Sequence, residues 1–277
     1  MLPDGDLTVR TGVWLYPAAT VDELVEAVVV ADRAGLDEVW IADEGVMRDP
    51  FVVFAAAAGR TTSVRMGIGI TSPALRHPGA IAATAASLDE LSDGRVMLGL
   101  GVGGEHSLEP FGLRLERPVA AMRDALRTAR AVLSRSSGDG YVVPDHAAPA
   151  RDVPLYIASR GEQINTLASR EADGVFLSGF DPEQLPTVLG WARRVGSPTV
   201  ALYQSVRFRP PASDDTASND TTSVTGTPEE LAELLGALAE LHRPDTIGIA
   251  LVDGDPVVDM VERAVETFDS LAFSSLG

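Results

Sequence analysis

Eight short apolar runs recur along the 277 residues, and a helix-like segment follows each of them. Strand-like runs that alternate with helices in this way point to parallel pairing, because each helix returns the chain to the same end of the sheet. The stretch from Arg76 to Gly104, RHPGAIAATAASLDELSDGRVMLGLGVGG, holds the whole unit. Pro78 stands in a first helical turn, where its missing N–H costs little. Ile81, Ala85, Leu88 and Leu91 then follow at helical spacing. Ser92-Asp93-Gly94 ends the helix, with Gly94 suited to a left-handed cap. Arg95 to Leu100 reads as a strand buried on both faces, and Gly101-Val102-Gly103-Gly104 lets backbone approach a neighbour closely.

The remaining units have the same grammar. Strands are expected at Thr11–Tyr16, Asp37–Asp43, Val64–Ile70, Arg95–Leu100, Pro154–Ala158, Val175–Leu177, Thr199–Val206 and Asp245–Val252. Helices are expected from Thr20 to Gly35, over Pro50–Arg60 and Ala80–Leu91, from Pro118 to about Leu133, over Gly161–Glu171, from Asp181 to about Val195, from Thr227, and over Val257–Leu271. Thr20 with Glu23, and Thr227 with Glu230, form capping boxes. Ser134 to Asp152 is a polar surface connection with a short hairpin at Tyr141–Val143. Eight such units make a (β/α)8 barrel, a TIM barrel, formed by one domain over 1–277. A dinucleotide fold would carry a glycine fingerprint after its first strand, and none stands there. Residues 209–226 are too polar to bury a core and read as a mobile loop.

Composition removes several chemistries. There is no Cys and no Lys, so all 22 cationic side chains are Arg and thiolate and Schiff-base catalysis are excluded. A net charge of −18 argues against a nucleic-acid partner. No apolar run suits a membrane span, the N-terminus lacks a signal-peptide pattern, and a cytoplasmic protein is expected. The four His lack the spacing of a barrel metal site, so no metal is expected.

Barrel enzymes carry their chemistry at the C-terminal ends of the strands. That rule selects Asp43 and Glu44 after the second strand, and Gly69, Ile70 and Thr71 at the third. It selects Gly101, Gly103, Gly104, Glu105 and His106 after the fourth, and Ala158, Ser159, Arg160 and Gly161 after the fifth. Small residues dominate, which suits a broad flat cofactor across the mouth. Ser159, Arg160, Gly161 and a helix N-terminus together suit an anion. His77 reads as a helix cap, and Trp14 and Tyr16 as core or rim.

The stretches EVWIADEG, RHPGAIAATAASLDELSDGR, VMLGLGVGG, VPLYIASRG, EADGVFLSG and TGTPEELAELL carry a resemblance. With them the chain resembles the bacterial luciferase-like monooxygenase family, nearest its deazaflavin-dependent branch similar to methylenetetrahydromethanopterin reductase. The resemblance implies a luciferase-like barrel binding coenzyme F420, or alternatively FMN. It implies hydride exchange with a small-molecule substrate, and a homodimer. It also implies a non-proline cis peptide at Gly69-Ile70, a cofactor contact at Asp43, and a phosphate loop over Ala158–Gly161. Many deazaflavin enzymes read Asp-His after the second strand, where this chain reads Asp43-Glu44. The acid–base candidates are therefore Glu44, Glu105 and His106. That departure, with shortened loops, motivates a further alternative: a degenerate family member without turnover.

Overall fold

The computed structural model describes residues 9–138, 141–181, 183–209, 222–251 and 256–271. The first half of the chain runs β1 (Arg10–Leu15), α1 (Val21–Arg33), β2 (Glu38–Ile41), α2 (Pro50–Ala58), β3 (Arg65–Thr71), α3 (Pro78–Leu91) and β4 (Val96–Gly101). A short α4 (Glu105–Leu108) and a 3-10 turn (Glu109–Phe111) follow, then α5 (Pro118–Leu133), β5 (Leu155–Ala158) and α6 (Glu162–Glu171). The chain closes with β6 (Gly174–Ser178), α7 (Leu185–Ala192), β7 (Thr199–Phe208), β8 (Val224–Gly226), α8 (Pro228–His242), β9 (Thr246–Leu251) and α9 (Val257–Asp269). Strands β1 to β7 pair in chain order, β7 pairs with β9, and β9 pairs with β1, so eight parallel strands close into a barrel.

Local chemistry starts the helices where the sequence indicates. The Thr20–Glu23 and Thr227–Glu230 capping boxes both form. Asp49 caps α2 by accepting the Phe51 N–H at 2.8 Å. The His77 ring caps α3 by accepting the Gly79 N–H at 3.1 Å. After α3, Asp93 and Gly94 both take positive φ. Arg95 can then donate to the Ala58, Thr61 and Val64 carbonyls, tying the turn to the end of α2.

Two expectations change. The segment expected as a mobile loop over 209–226 ends in β8, which pairs in parallel with the end of β7 from Val206 to Phe208. β7 outruns the barrel rim, and its unpaired backbone takes the returning chain as a partner. Residues 210–221 lie outside the described residues. The hairpin expected at Tyr141–Val143 reduces to one antiparallel bridge between Gly138 and Tyr141.

Strand residues that face outward, such as Val13, Val39, Ile68 and Ile249, join the helices in one large apolar core. The residues that face inward form a second cluster of Trp40, Met97, Tyr156, Phe176, Ala201, Tyr203 and Ala250. The Trp40 and Tyr156 rings meet edge to face at 5.1 Å, and Phe176 stacks on Tyr203 at 4.8 Å. Gly67, Gly174 and Gly248 make room for them: a Cβ on each would lie 2.1–2.2 Å from Trp40, Tyr156 or Tyr203. Below these rings lies Glu38, fully buried. Its carboxylate accepts from Trp40 Nε1 at 3.0 Å and Thr246 Oγ1 at 3.1 Å, and pairs with Arg10 and Arg65 at 3.2 Å each. The sequence reading did not single out this polar floor. Among the described residues no helix is long and apolar enough to cross a membrane.

Candidate active site at the barrel mouth

The C-terminal ends of β2, β3 and β4 are tied to one another. Asp43, almost fully buried, accepts a hydrogen bond from Thr71 Oγ1 at 2.7 Å and one from the Gly45 N–H at 3.3 Å. Its own N–H donates to the Ile70 carbonyl at 3.3 Å. Ser72 Oγ donates to the Val102 carbonyl at 3.1 Å. Gly69-Ile70 is a cis peptide, as the resemblance implied, and the Trp14 indole N–H donates to the Gly69 carbonyl. The pairing register of β3 and β4 shifts at this step, between Ile68 and Thr71. The Ile70 side chain leans over β4, where a Cβ on Gly101 would stand 1.8 Å from its Cδ1.

Gly101 stands opposite Ala158 in the β4–β5 register, so the glycine end of β4 adjoins the loop after β5. In that loop Ser159 Oγ accepts the Gly161 N–H at 3.1 Å. The fully buried Asn165 holds the loop from below, its amide donating to the Ser159 and Gly161 carbonyls at 3.0 Å each. The sequence reading missed Asn165; its signal is a polar residue on the apolar stripe of α6. Arg160 is exposed and its guanidinium lies against Gly179, which has a φ of 67°. The first turn of α6 begins just beyond, so orphan N–H groups and Arg160 share one edge of the mouth. Glu162 in that turn pairs with Arg194 at 2.7 Å.

Across the mouth, α4 brings His106 and Ser107 to the β2 loop. His106 Nε2 lies 2.9 Å from Glu44 Oε2, and the Ser107 hydroxyl donates to the same oxygen. The Glu44 side chain is 14% exposed and that of His106 is 67% exposed, so the pair runs from the rim outward. Burial raises the Tyr16 phenol above its ordinary value, and the nearby Glu44 charge adds to the shift. Gly45, at φ 69°, lets the two loops touch: a Cβ there would meet the Ser107 carbonyl at 2.9 Å and Phe111 Cε2 at 2.8 Å.

The structure thus gathers Asp43, Glu44, Gly69, Ile70, Thr71, Gly101, Gly103, Gly104 and His106 on one side. Ala158, Ser159, Arg160 and Gly161 stand on the adjoining side. Glu105 starts α4, and its side chain lies outside the described residues. Gln204 turns away, donating to the Ser205 and Thr222 carbonyls. His242 closes α8, where burial and then Arg193 lower its pKa. Among the described residues no three His, Asp or Glu side chains gather as a metal site.

A flat conjugated ring with a phosphate-bearing tail fits these residues. Ile70 packs over Gly101 at the end of β4, and the exposed Arg160 edge beside it suits an anion. The comparisons bear on the same fold. The chain is 29% identical over 178 residues to 5,10-methylenetetrahydromethanopterin reductase of Methanolobus tindarius, covering 62% of this chain and 55% of that one. It is 33% identical over 184 residues to the F420-dependent glucose-6-phosphate dehydrogenase of Microbacterium testaceum, covering 58% and 54%. The chain therefore spans about half the length of these relatives. Among solved structures, an F420-dependent secondary alcohol dehydrogenase in complex with an F420-acetone adduct superposes with a TM-score of 0.75 at 17% identity. That match covers 94% of this chain and 99% of the other. A monooxygenase from Streptomyces bottropensis superposes with a TM-score of 0.74 at 18% identity, covering 96% and 98%. The family model of the luciferase-like monooxygenases matches residues 7–194. On that match and the closed barrel, the chain belongs to the luciferase-like monooxygenase family.

Proposed function

We propose that this chain is an oxidoreductase that binds coenzyme F420 at the barrel mouth and exchanges a hydride with a small organic substrate. One observation carries the reading: the end of β4 at Gly101 adjoins an anion-suited loop after β5, where the exposed Arg160 stands beside the start of α6. The names of the relatives, F420-dependent among them, support the same cofactor. When bound, the deazaflavin ring supplies a carbon that accepts or returns a hydride.

The protein's part is positioning and electrostatics. Gly69, Ile70 and Thr71 back the ring, with Asp43 fixing the end of β3 through the Thr71 hydroxyl. Gly101, Gly103 and Gly104 give it backbone contact. Ala158, Ser159, Arg160 and Gly161 hold the phosphate, Arg160 by charge and the start of α6 by its N–H groups. Glu44, Glu105 and His106 are the acid–base set. FMN is the second reading, favoured by a riboflavin lyase of the same fold whose structure holds modified FMN.

The protein is further proposed to act in the cytoplasm as a homodimer. Exposed Val52, Ala55 and Ala56 on α2, and Ala80, Ala83, Thr84, Ser87 and Leu91 on α3, are uncharged on a chain of net charge −18. A second acidic copy meets least repulsion there.

Titration with purified F420, followed by quenching of its fluorescence, tests the cofactor. Saturable quenching that Arg160→Ala weakens about tenfold supports the reading, as a lost charge-assisted contact predicts. A 450-nm absorbance that copurifies, without F420 quenching, moves the assignment to FMN. No response to either cofactor leaves the degenerate member.

A further inference from the structure

A cavity lies at the opposite end of the barrel from the mouth, where the strands begin. It measures about 290 Å³, and its lining includes Arg10, Arg65, Tyr156, Thr199, Asp152 and Asp173. That volume stands at the small end of the range for ligand pockets. Arg10, Arg65, Tyr156 and Thr199 come from β1, β3, β5 and β7, alternate strands whose side chains share layers in such barrels.

The two guanidiniums have donors to spare. Arg10 turns Nε to Glu38 and Thr246, and Arg65 reaches Glu38 through Nη1. No hydrogen bond among the described residues engages either Nη group of Arg10, or Nη2 and Nε of Arg65. One buried carboxylate thus answers two cations, and a single positive charge is left over. Both Arg side chains are about one-third exposed, so they stay open to a ligand. Burial, and then the Glu38 charge, raise the Tyr156 phenol, which remains a neutral donor. Asp173 does not cancel the surplus charge, because it accepts the Leu155 N–H at 2.8 Å and pairs with Arg130 at 3.1 Å. Asp152 is exposed, and water screens its charge.

We propose that this cavity binds a small organic monocarboxylate, held by Arg10 and Arg65 with the Tyr156 hydroxyl as a further donor, and that Asp152 limits the charge it accepts. The planar pair of carboxylate oxygens matches the guanidinium fork. One negative charge answers the one left over, whereas a dianion exceeds it and meets Asp152. The bound carboxylate bridges the starts of β1, β3 and β5, so it stabilises the closed barrel by linkage. The site stands whether or not the mouth binds a deazaflavin.

The test uses the full chain carrying Arg160→Ala, which silences the anion edge at the mouth. Sodium propionate is titrated against sodium chloride at equal ionic strength, with binding read by saturation-transfer NMR of the propionate methyl group. Saturable binding that chloride does not reproduce is expected, with a Kd on the order of 1 mM for so few atoms. Sulfate is expected to displace propionate at least fivefold less well than acetate does. Arg65→Met is expected to weaken binding about tenfold. Asp152→Asn, an exposed change with no hydrogen bond to lose, is expected to tighten propionate about threefold and sulfate by more. If Arg65→Met fails to fold, Asp152→Asn decides alone. No saturable binding above the chloride control overturns the site, as does binding that Asp152→Asn leaves unchanged or weakens. Binding present in wild type but absent from Arg160→Ala moves the carboxylate to the mouth and also overturns it. Sulfate that competes as well as acetate overturns the monocarboxylate class.

Discussion

Trp40 Nε1 donates to the Glu38 carboxylate at 3.0 Å, so one ring of the barrel's aromatic filling is anchored to the charge beneath it. Replacing Glu38 by Gln leaves the Arg10 and Arg65 guanidiniums facing each other without a counter-charge. Breaking such a buried pair costs about 3 kcal/mol. The loss belongs at the low end of that range, because the two Arg side chains are 35% and 29% exposed. Urea denaturation should show a lower midpoint with an unchanged slope.

Tyr203 makes the same floor sensitive to alkali. Burial, and then the charge of Glu38, raise its phenol well above the ordinary value near 10. In the unfolded chain the phenol ionises at its ordinary value, while in the folded protein it stays neutral. Stability is therefore undiminished below about pH 10 and falls as pH rises past it. Tyr203→Phe should flatten that alkaline fall in a thermal-melt series.

Asp32 gives the acid counterpart. Burial pushes its carboxyl up, but the N–H groups of Val64, Ser63 and Thr62 outweigh this and hold it at about 2. Its contribution is complete above the ordinary value of 3.8 and is lost as pH falls through about 2. Asp32→Asn should be less stable than wild type at neutral pH, with the difference shrinking between those two values.

Gly101 and Ile70 should behave as a coupled pair. Gly101→Ala sets a methyl 1.8 Å from Ile70 Cδ1, so the isoleucine has to shift. Such overpacking costs about 1–3 kcal/mol, and F420 affinity should fall at least as far as stability. Gly101→Ala with Ile70→Ala should recover much of both, and a double-mutant cycle measures the coupling. Additive losses would remove the steric explanation.

Much of the barrel is legible in the sequence, because apolar runs, caps and turn glycines are local signals. The Thr20 and Thr227 boxes and the Asp93-Gly94 turn need only a few neighbouring residues to be recognised. Glu38, Arg10 and Arg65 come from three strands and become a cluster only when the barrel closes. In sequence they look like charges at strand starts. Helix α4 has four residues, too few for a helical period to register. Its Glu44 contact joins positions 63 or so residues apart and follows from the β2–β3–β4 order, not from any motif. Asn165 reads as one polar residue in an amphipathic helix until the loop it holds is seen above it.

The filled lumen has a kinetic consequence. Trp40, Tyr156, Phe176 and Tyr203 stop the barrel from below, and Glu38 seals the floor under them. Among the described residues, the lumen is therefore no passage from one end of the barrel to the other. A guest over Ile70 and Gly101 must leave by the end through which it came.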